Sequence, residues 1–337
     1  MTGLERTTDF INHKKTDRPP LHPILMLWAA KYSGIPYSEF VLNAPSKAKA
    51  MIKAADDFGL DWCTVMSDPY CEAEGFGLPV TYPFDDLPKH TDYLIKDMND
   101  INRLKPLNPY ENRRTLNRIK EVEELSKAAG DRYFIVGWAE GSLAEYADLR
   151  GLAEMCLDFY DYEKEMNTAL DIILETSIEE AKAEIKAGAH CIGIGDAVCS
   201  QIGPRFYREF GFEREKILVD AIHSEGAYAK LHICGDTTKI LPDMIKTGAD
   251  IIDVDHLVND MSPFVPLLGD TQVLCGNSDP VEIVYRGNEE EMKKSMLLCH
   301  RQTQGLGITS AGCEIPPNTS LETFRTYCNL AHTLFSC

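Results

Sequence analysis

The sequence predicts an α/β fold, a single (β/α)8 TIM barrel, on the basis of three observations. Eight short apolar runs alternate with longer helical patterns along the 337 residues, and this alternation is typical of a parallel sheet. Most of the runs are too apolar for half-exposed strands, so both faces of the sheet are expected to be buried. No Gly-x-Gly-x-x-Gly sequence follows the first run, which disfavours an open, doubly wound sheet. One domain over residues 1–337 is therefore expected.

The predicted strands share short length and a nearly continuous apolar composition. In chain order they are His22–Trp28, Asp61–Met66, Tyr133–Trp138, His190–Gly195, Ala227–Ile233, Asp250–Val254, Gln272–Cys275 and Gly307–Ala311.

The predicted helices share apolar residues at helical spacing or a glycine directly after their last turn. They are Pro45–Phe58, Asn112–Ala129, Leu152–Lys186 (as one or two helices), Pro204–Ser224, Thr237–Thr247, Asn288–Gln304 and Ser320–Leu334. The segment 68–110, between the second and third predicted strands, is rich in proline and too irregular for a simple crossover. We interpret it as an insertion that passes over the barrel mouth.

The net charge and the cysteine count of the chain limit which partners and which cellular compartment are expected. The formal net charge is −19, which argues against binding to nucleic acid or to anionic membranes. The first 18 residues are polar, with no apolar core of a secretory leader, and no apolar run is long enough to cross a bilayer. The eleven cysteines are an odd number in a large chain, so we expect mostly buried, free thiols and a cytoplasmic location.

In a TIM barrel the active site lies where the strands end, so polar residues at those positions are the candidates for chemistry. His232 and Cys234 are two residues apart at the end of the fifth predicted strand, and a period of two places both side chains on one side. Cys313 follows the last predicted strand. Imidazole and thiolate are preferred zinc ligands, so these three residues form a candidate metal site. Alternatively, the cysteines are unconnected thiols in a cysteine-rich chain.

Two carboxylates also end predicted strands. Glu140 follows the third strand and Asp196 the fourth. We expect these residues to contact substrate or to transfer a proton to a leaving group, as candidate catalytic residues. The alternative for Asp196 is a capping role at the loop or helix that follows it.

Several stretches resemble the uroporphyrinogen decarboxylase superfamily, on its branch of corrinoid-linked methyltransferases. They are Lys15–Pro19, Asp148–Gly151, Gly195–Ala197, Pro204–Tyr207, His232–Asp236, Gly276–Pro280 and Ser310–Pro317, of which the last three are the most specific. The resemblance implies a (β/α)8 barrel, in agreement with the strand count. The decarboxylases resemble the chain less, because they carry an arginine-rich segment after the first strand, where this sequence has Trp28–Ser33 without arginine.

The resemblance implies that zinc is bound by His232, Cys234 and Cys313. The segment Ala249–Asp255 is similar to one that carries a carboxylate ligand in cobalamin-independent methionine synthase, so Asp255 is a tentative fourth ligand. The resemblance also implies that the corrinoid is carried by a separate small protein, and the absence of an Asp-x-His-x-x-Gly cobalamin-binding motif from this chain fits that expectation.

The predicted function is zinc-dependent, corrinoid-linked methyl transfer between a small molecule and the corrinoid protein. The acidic residues Glu140, Glu145 and Asp196 favour a methoxylated aromatic donor, hence O-demethylation, over an anionic sulfonate thiol. The alternatives are a methylcobalamin:thiol methyltransferase of the coenzyme M type, a decarboxylase of the uroporphyrinogen type, and a non-catalytic barrel with structural zinc. A homo-oligomer is compatible with the sequence.

Overall fold

Seven parallel strands form the central sheet of the computed structural model, which describes residues 1–335. A two-stranded antiparallel hairpin lies outside this sheet. The strands are β1 (Trp62–Thr64), β2 (Val80–Thr81), β3 (Lys89–His90), β4 (Phe134–Glu140), β5 (Cys191–Gly195), β6 (Tyr228–Ile233), β7 (Ile251–Val254), β8 (Val273–Cys275) and β9 (Gly307–Ile308). The order in the large sheet is β1-β4-β5-β6-β7-β8-β9, and β2 pairs with β3. The predicted TIM-barrel-like α/β fold is confirmed.

The helices surround the sheet. They are α1 (Gly3–Ile11), α2 (Leu27–Ser33), α3 (Tyr37–Leu42), α4 (Ala44–Phe58), α5 (Cys71–Phe76), α6 (Arg113–Ala129), α7 (Ser142–Arg150), α8 (Leu152–Asp161), α9 (Glu163–Ala187), α10 (Cys199–Phe206), α11 (Phe212–Ser224), α12 (Leu241–Lys246), α13 (Glu289–Gln302) and α14 (Leu321–Thr333). Local signals explain several starts: the Asn43 side chain caps α4, and Asn288 forms a capping box with Glu291 at α13. No helix in the described residues is long and apolar enough to cross a membrane.

The first predicted strand, His22–Trp28, differs from expectation. Only single bridges form there, from Leu21 to Thr309 and from Ile24 to Glu314, and α2 already begins at Leu27. Prolines at positions 19, 20 and 23 supply no N–H group, so a continuous ladder cannot form. The segment still joins the two edges of the sheet, because Leu21 accepts a hydrogen bond from Asp61 N and His22 donates one to Thr309 O.

Two predicted helices are shorter or divided. The pattern Pro204–Ser224 is split by a wide π-type turn over Tyr207–Gly211, between α10 and α11. The pattern Thr237–Thr247 yields only α12, because the turn before it is not helical. Leu152–Lys186 forms two helices, α8 and α9, which is one of the two predicted arrangements.

The carboxyl ends of the strands surround the open end of the barrel, and the opposite end is filled by buried side chains. Phe10 and Ile11 of α1 pack with Trp62, Phe134 and Val136 in a second buried cluster, at the other end of the sheet. All ten described cysteines are free and six of them are buried, in agreement with the prediction of mostly buried thiols. Cys337 lies outside the described residues.

Candidate metal centre and active-site cavity

The three predicted metal ligands converge. His232 Nε2 lies 3.0 Å from Cys234 Sγ, which lies 3.7 Å from Cys313 Sγ. One donor atom from each residue falls within 4.8 Å of the others. His232 is buried, and the two cysteines are half-buried. This donor set, one imidazole and two thiols, matches the preference of zinc.

Strand geometry explains the positions of His232 and Cys234. His232 is the penultimate residue of β6, and Cys234 follows two residues later and lines the same cavity. Cys313 arrives from the loop after β9. Its neighbour Gly312 packs against the backbone of Asp255 and His256, where a Cβ atom would lie 2.2 Å from His256 N. Only glycine permits this close approach, which brings Cys313 beside the β6 loop.

A buried carboxylate orients the histidine ring. In the parallel register His232 is paired with Asp253 of β7, and Asp253 Oδ2 lies 2.9 Å from His232 Nδ1. The same carboxylate oxygen lies 2.5 Å from Lys230 Nζ. Asp253 therefore faces Nδ1, so that Nε2 is the nitrogen that faces the cysteines.

The electrostatics of the site favour ionised groups. Burial opposes the charge on Asp253, but Lys230 and His232 lower the pKa of this carboxyl group well below its usual range. Burial likewise opposes a charge on His232, yet Asp253 raises the pKa of the imidazole to about 9. Cys234 and Cys313 behave as a pair: the hydrogen bond from Cys234 lowers the pKa of Cys313 to about 4. The pair thus readily carries one thiolate, the form that binds metals.

Asp255, the tentative fourth ligand, is not a member of this group of donor atoms. Its Oδ2 accepts a hydrogen bond from Gly235 N at 2.9 Å, and its Oδ1 accepts one from Leu257 N at 3.0 Å. Both oxygens thus hold the backbone of the loops that follow β6 and β7. The structure places Asp255 as a support beside the ligands and brings three of the four predicted metal residues together.

A cavity of about 240 Å³ opens beside the three ligands. Trp138 and Glu140 at the end of β4 contribute to its wall, as does Leu87 from the segment 68–110. Most of the remaining wall is apolar, including Met26 and Met66. The cavity therefore joins the candidate metal centre to a space that a small, mostly apolar molecule can fill.

Glu140 lines this cavity, as expected for a residue that contacts substrate. Its Oε1 accepts a hydrogen bond from Trp138 Nε1 at 2.7 Å, and its backbone N donates to Glu72 Oε1 at 3.0 Å. Burial, reinforced by the nearby carboxylate of Glu72, raises the pKa of Glu140 well above its usual range. This shift favours the protonated form of Glu140, which can donate a hydrogen bond or a proton.

Asp196 is placed differently. Its Oδ1 accepts a hydrogen bond from Ala144 N at 2.8 Å, at the start of α7. The neighbouring residues Gly195 and Ala197 line the cavity, but Asp196 itself does not. Burial raises its pKa to about 6. The side chain caps α7, the helix after β4, whereas the capping role expected from the sequence was at the loop or helix that follows Asp196.

Three residues of the site were not singled out by the sequence. One signal in the sequence could have identified two of them: Asp253 lies two residues before Asp255, and Lys230 lies two residues before His232. Glu314, next to Cys313, lines the cavity and accepts a hydrogen bond from Leu27 N at 3.0 Å. Burial raises the pKa of Glu314 to about 7. The hydrogen bond of Glu314 to Leu27 N requires that α2 begin at Leu27, and the sequence predicted a strand there instead.

Comparisons with known proteins identify the family of the chain. A family model described as uroporphyrinogen decarboxylase (URO-D) matches residues 2–334. A methylcobamide:CoM methyltransferase, MtbA, of Methanosarcina acetivorans is 30% identical over 263 residues, or 76% of this chain and 75% of the relative. A uroporphyrinogen decarboxylase of Koribacter versatilis is 24% identical over 292 residues, or 85% of this chain and 82% of the relative.

Solved structures share the fold. A methyltransferase from Methanosarcina mazei superposes with a TM-score of 0.87 at 22% identity, covering 98% of both chains. A B12-independent methionine synthase from Shewanella superposes with a TM-score of 0.59 at 12% identity, covering 87% of this chain and 86% of that one.

The fold and the site define a barrel enzyme whose reactive groups converge where parallel strands end. The chain belongs to the uroporphyrinogen decarboxylase (URO-D) family, as its sequence motifs predicted. It is a methyltransferase of the corrinoid-dependent kind, like its methylcobamide:CoM relatives.

Proposed function

We propose that the chain transfers a methyl group from the cobalt of a corrinoid, carried by a separate small protein, to a small thiol at a zinc ion held by His232, Cys234 and Cys313. The observation that carries this proposal is the convergence of these three side chains at the wall of the cavity. The relatives named methylcobamide:CoM methyltransferases favour a thiol acceptor over the methoxylated aromatic that the sequence favoured.

The donor set fits a catalytic zinc. Three protein ligands leave one position for substrate, whereas structural zinc sites are closed by four, and this argues against the non-catalytic alternative. Zinc in this position would supply Lewis acidity that keeps a substrate thiol ionised at neutral pH.

The protein's own residues prepare the site for this reaction. Asp253 fixes the tautomer of His232, and Lys230 keeps Asp253 ionised in a buried position. The cavity wall, with Trp138 and Met66, excludes water from the reacting sulfur. Because the segment 68–110 contributes Leu87 to this wall, we propose that it frames the mouth through which the corrinoid approaches.

A second candidate is the opposite direction, removal of a methyl group from a methoxylated aromatic. Glu140 favours it, because a protonated carboxyl group in an apolar cavity suits the protonation of a phenolate leaving group. Decarboxylation of a uroporphyrinogen-type substrate is less well supported. Among residues 1–335, no arginine lines the cavity to bind substrate carboxylates.

Metal content and methyl transfer test the proposal together. Wild-type protein is expected to hold about one zinc per chain and to convert methylcobalamin and a thiol into a thioether. Cys234→Ala and Cys313→Ala are expected to lose both the metal and the reaction. Cys156→Ala, which removes an exposed cysteine of α8, is the matched control and should keep both. Full zinc content in both ligand variants would contradict the metal site.

A further inference from the structure

The ionisable side chains around the cavity are of one kind, carboxyl groups. Apart from the three candidate ligands, the ionisable side chains in its wall are Asp68, Glu140 and Glu314. No lysine or arginine lines the cavity in the part of the chain that the structure describes. A bound anion would therefore face carboxyl groups and no cationic partner.

Two cationic groups beside residues of the cavity wall are already paired. Arg114 Nη2 lies 2.7 Å from Asp68 Oδ2, and the side chains of both residues are almost fully buried. Lys230 Nζ lies 2.5 Å from Asp253 Oδ2, with both side chains equally buried. Neither cation can turn toward a ligand without leaving a buried carboxylate unpaired, which is strongly unfavourable.

The rest of the wall gives an anion little other support. Ile24, Met26, Met66 and Leu87 present apolar surface. The backbone N–H of Leu27, which begins α2 beside the cavity, already donates to Glu314. A sulfonate or carboxylate would lose its hydration shell here without gaining a compensating positive charge.

We infer that the site selects a substrate whose non-reacting end carries no negative charge, and that it discriminates against sulfonated and carboxylated thiols. The inference rests on the proposed function and narrows its substrate class. It sets this chain apart from relatives whose names specify coenzyme M, a sulfonated thiol. The observation behind this inference is that Asp68, Glu140 and Glu314 lie together around an apolar cavity.

Matched thiols test the inference. Methyl transfer from methylcobalamin is measured with 2-mercaptoethanol, propanethiol, 2-mercaptoethanesulfonate and 3-mercaptopropionate, using zinc-loaded wild-type protein. We expect kcat/KM for the uncharged thiols to exceed that for the anionic thiols by about tenfold or more, the ratio that corresponds to about 1.4 kcal/mol. Equal values, or a preference for either anionic thiol, would overturn the inference.

A second readout separates this inference from the proposed function. Binding of the methylated products, 2-(methylthio)ethanol and 2-(methylthio)ethanesulfonate, is measured by calorimetry, which needs no turnover. If no thiol is methylated, the proposed function fails, and the two dissociation constants decide the inference. Tighter binding of the uncharged thioether supports the inference, and tighter or equal binding of the sulfonate refutes it.

A charge placed at the rim should relax the selection. Leu87 lines the cavity and is 39% exposed, so Leu87→Arg can carry a cation without burying it. We expect this variant to raise kcat/KM for 2-mercaptoethanesulfonate relative to 2-mercaptoethanol by about tenfold. Leu87→Gln controls for polarity and length and should leave the ratio unchanged. A ratio that does not move in Leu87→Arg, with zinc content intact, would count against the inference.

Discussion

Asp253 Oδ2 lies 2.9 Å from Nδ1 of His232, while Nε2 of the same ring lies 3.0 Å from Cys234 Sγ. The two contacts use opposite edges of one imidazole. The carboxylate therefore sets which nitrogen faces the cysteines, a relationship that commonly supports metal-binding histidines.

Loss of that carboxylate should weaken metal binding. Asp253→Asn is expected to lower zinc affinity by about 10- to 100-fold, because the neutral amide is a weaker acceptor than the carboxylate and can turn its NH2 group toward the ring. It also leaves Lys230 buried without a counter-charge, which is expected to lower the free energy of unfolding by about 3 kcal/mol. The measurements are zinc competition with a chromophoric chelator and urea unfolding.

The double variant Asp253→Asn/Lys230→Met separates the two effects. It removes the unpaired charge and should recover stability while zinc affinity stays low. Recovery of zinc affinity along with stability would show that Asp253 acts only through the fold.

Asp255 is expected to support loops and leave metal binding to its neighbours. Asp255→Ala removes the acceptor for Gly235 N and Leu257 N, so we expect a loss of about 1–3 kcal/mol in the free energy of unfolding. Zinc content should remain about one per chain, because the variant keeps all three candidate ligands, His232, Cys234 and Cys313. A folded variant without zinc would instead identify Asp255 as a ligand.

Glu140 distinguishes the two directions of methyl transfer. Glu140→Gln keeps a hydrogen-bonding group in the cavity but cannot release a proton. Demethylation of a methoxylated aromatic would fall by about 100-fold or more, whereas methylation of a thiol would fall much less. Initial rates with methylcobalamin plus thiol, and with reduced corrinoid plus methoxyarene, make the comparison.

Asp196→Asn is the matched control for Glu140→Gln. Asp196 is equally buried, but its side chain caps α7 outside the cavity. Both rates are expected to persist. A loss of activity in Asp196→Asn, with activity kept in Glu140→Gln, would show that Asp196 has a catalytic role.

Stability should fall as pH rises through neutrality. Burial raises the pKa of Glu121 to about 7 and that of Glu184 to about 8, while unfolded carboxyl groups titrate at about 4. The folded state therefore binds more protons between these values, and the free energy of unfolding decreases with increasing pH. Urea midpoints at pH 6.5 and 8 measure the decrease.

Glu184→Gln should flatten this dependence, because one of the groups that take up a proton on folding is gone. Glu179→Gln, which changes an exposed residue of α9, should leave the dependence as in wild type. Identical slopes in all three proteins would assign the pH effect to other groups.

The sequence alone determined the seven strands of the large sheet and the polar residues that follow them. Seven of eight predicted strands formed, because nearly continuous apolar runs are stable only when buried on both faces. It also determined the pairing of His232 with Cys234, since a period of two is a property of the strand itself.

Only the tertiary structure decided how those segments meet. Cys313 reaches Cys234 across 79 positions of the chain, through a loop that packs closely at Gly312. Asp253, and not Asp255, contacts His232, because the register between β6 and β7 pairs these two positions. Asp196 ends a strand as predicted, yet its side chain turns to α7. Strand register and side-chain direction depend on contacts between distant segments, and no local pattern encodes them.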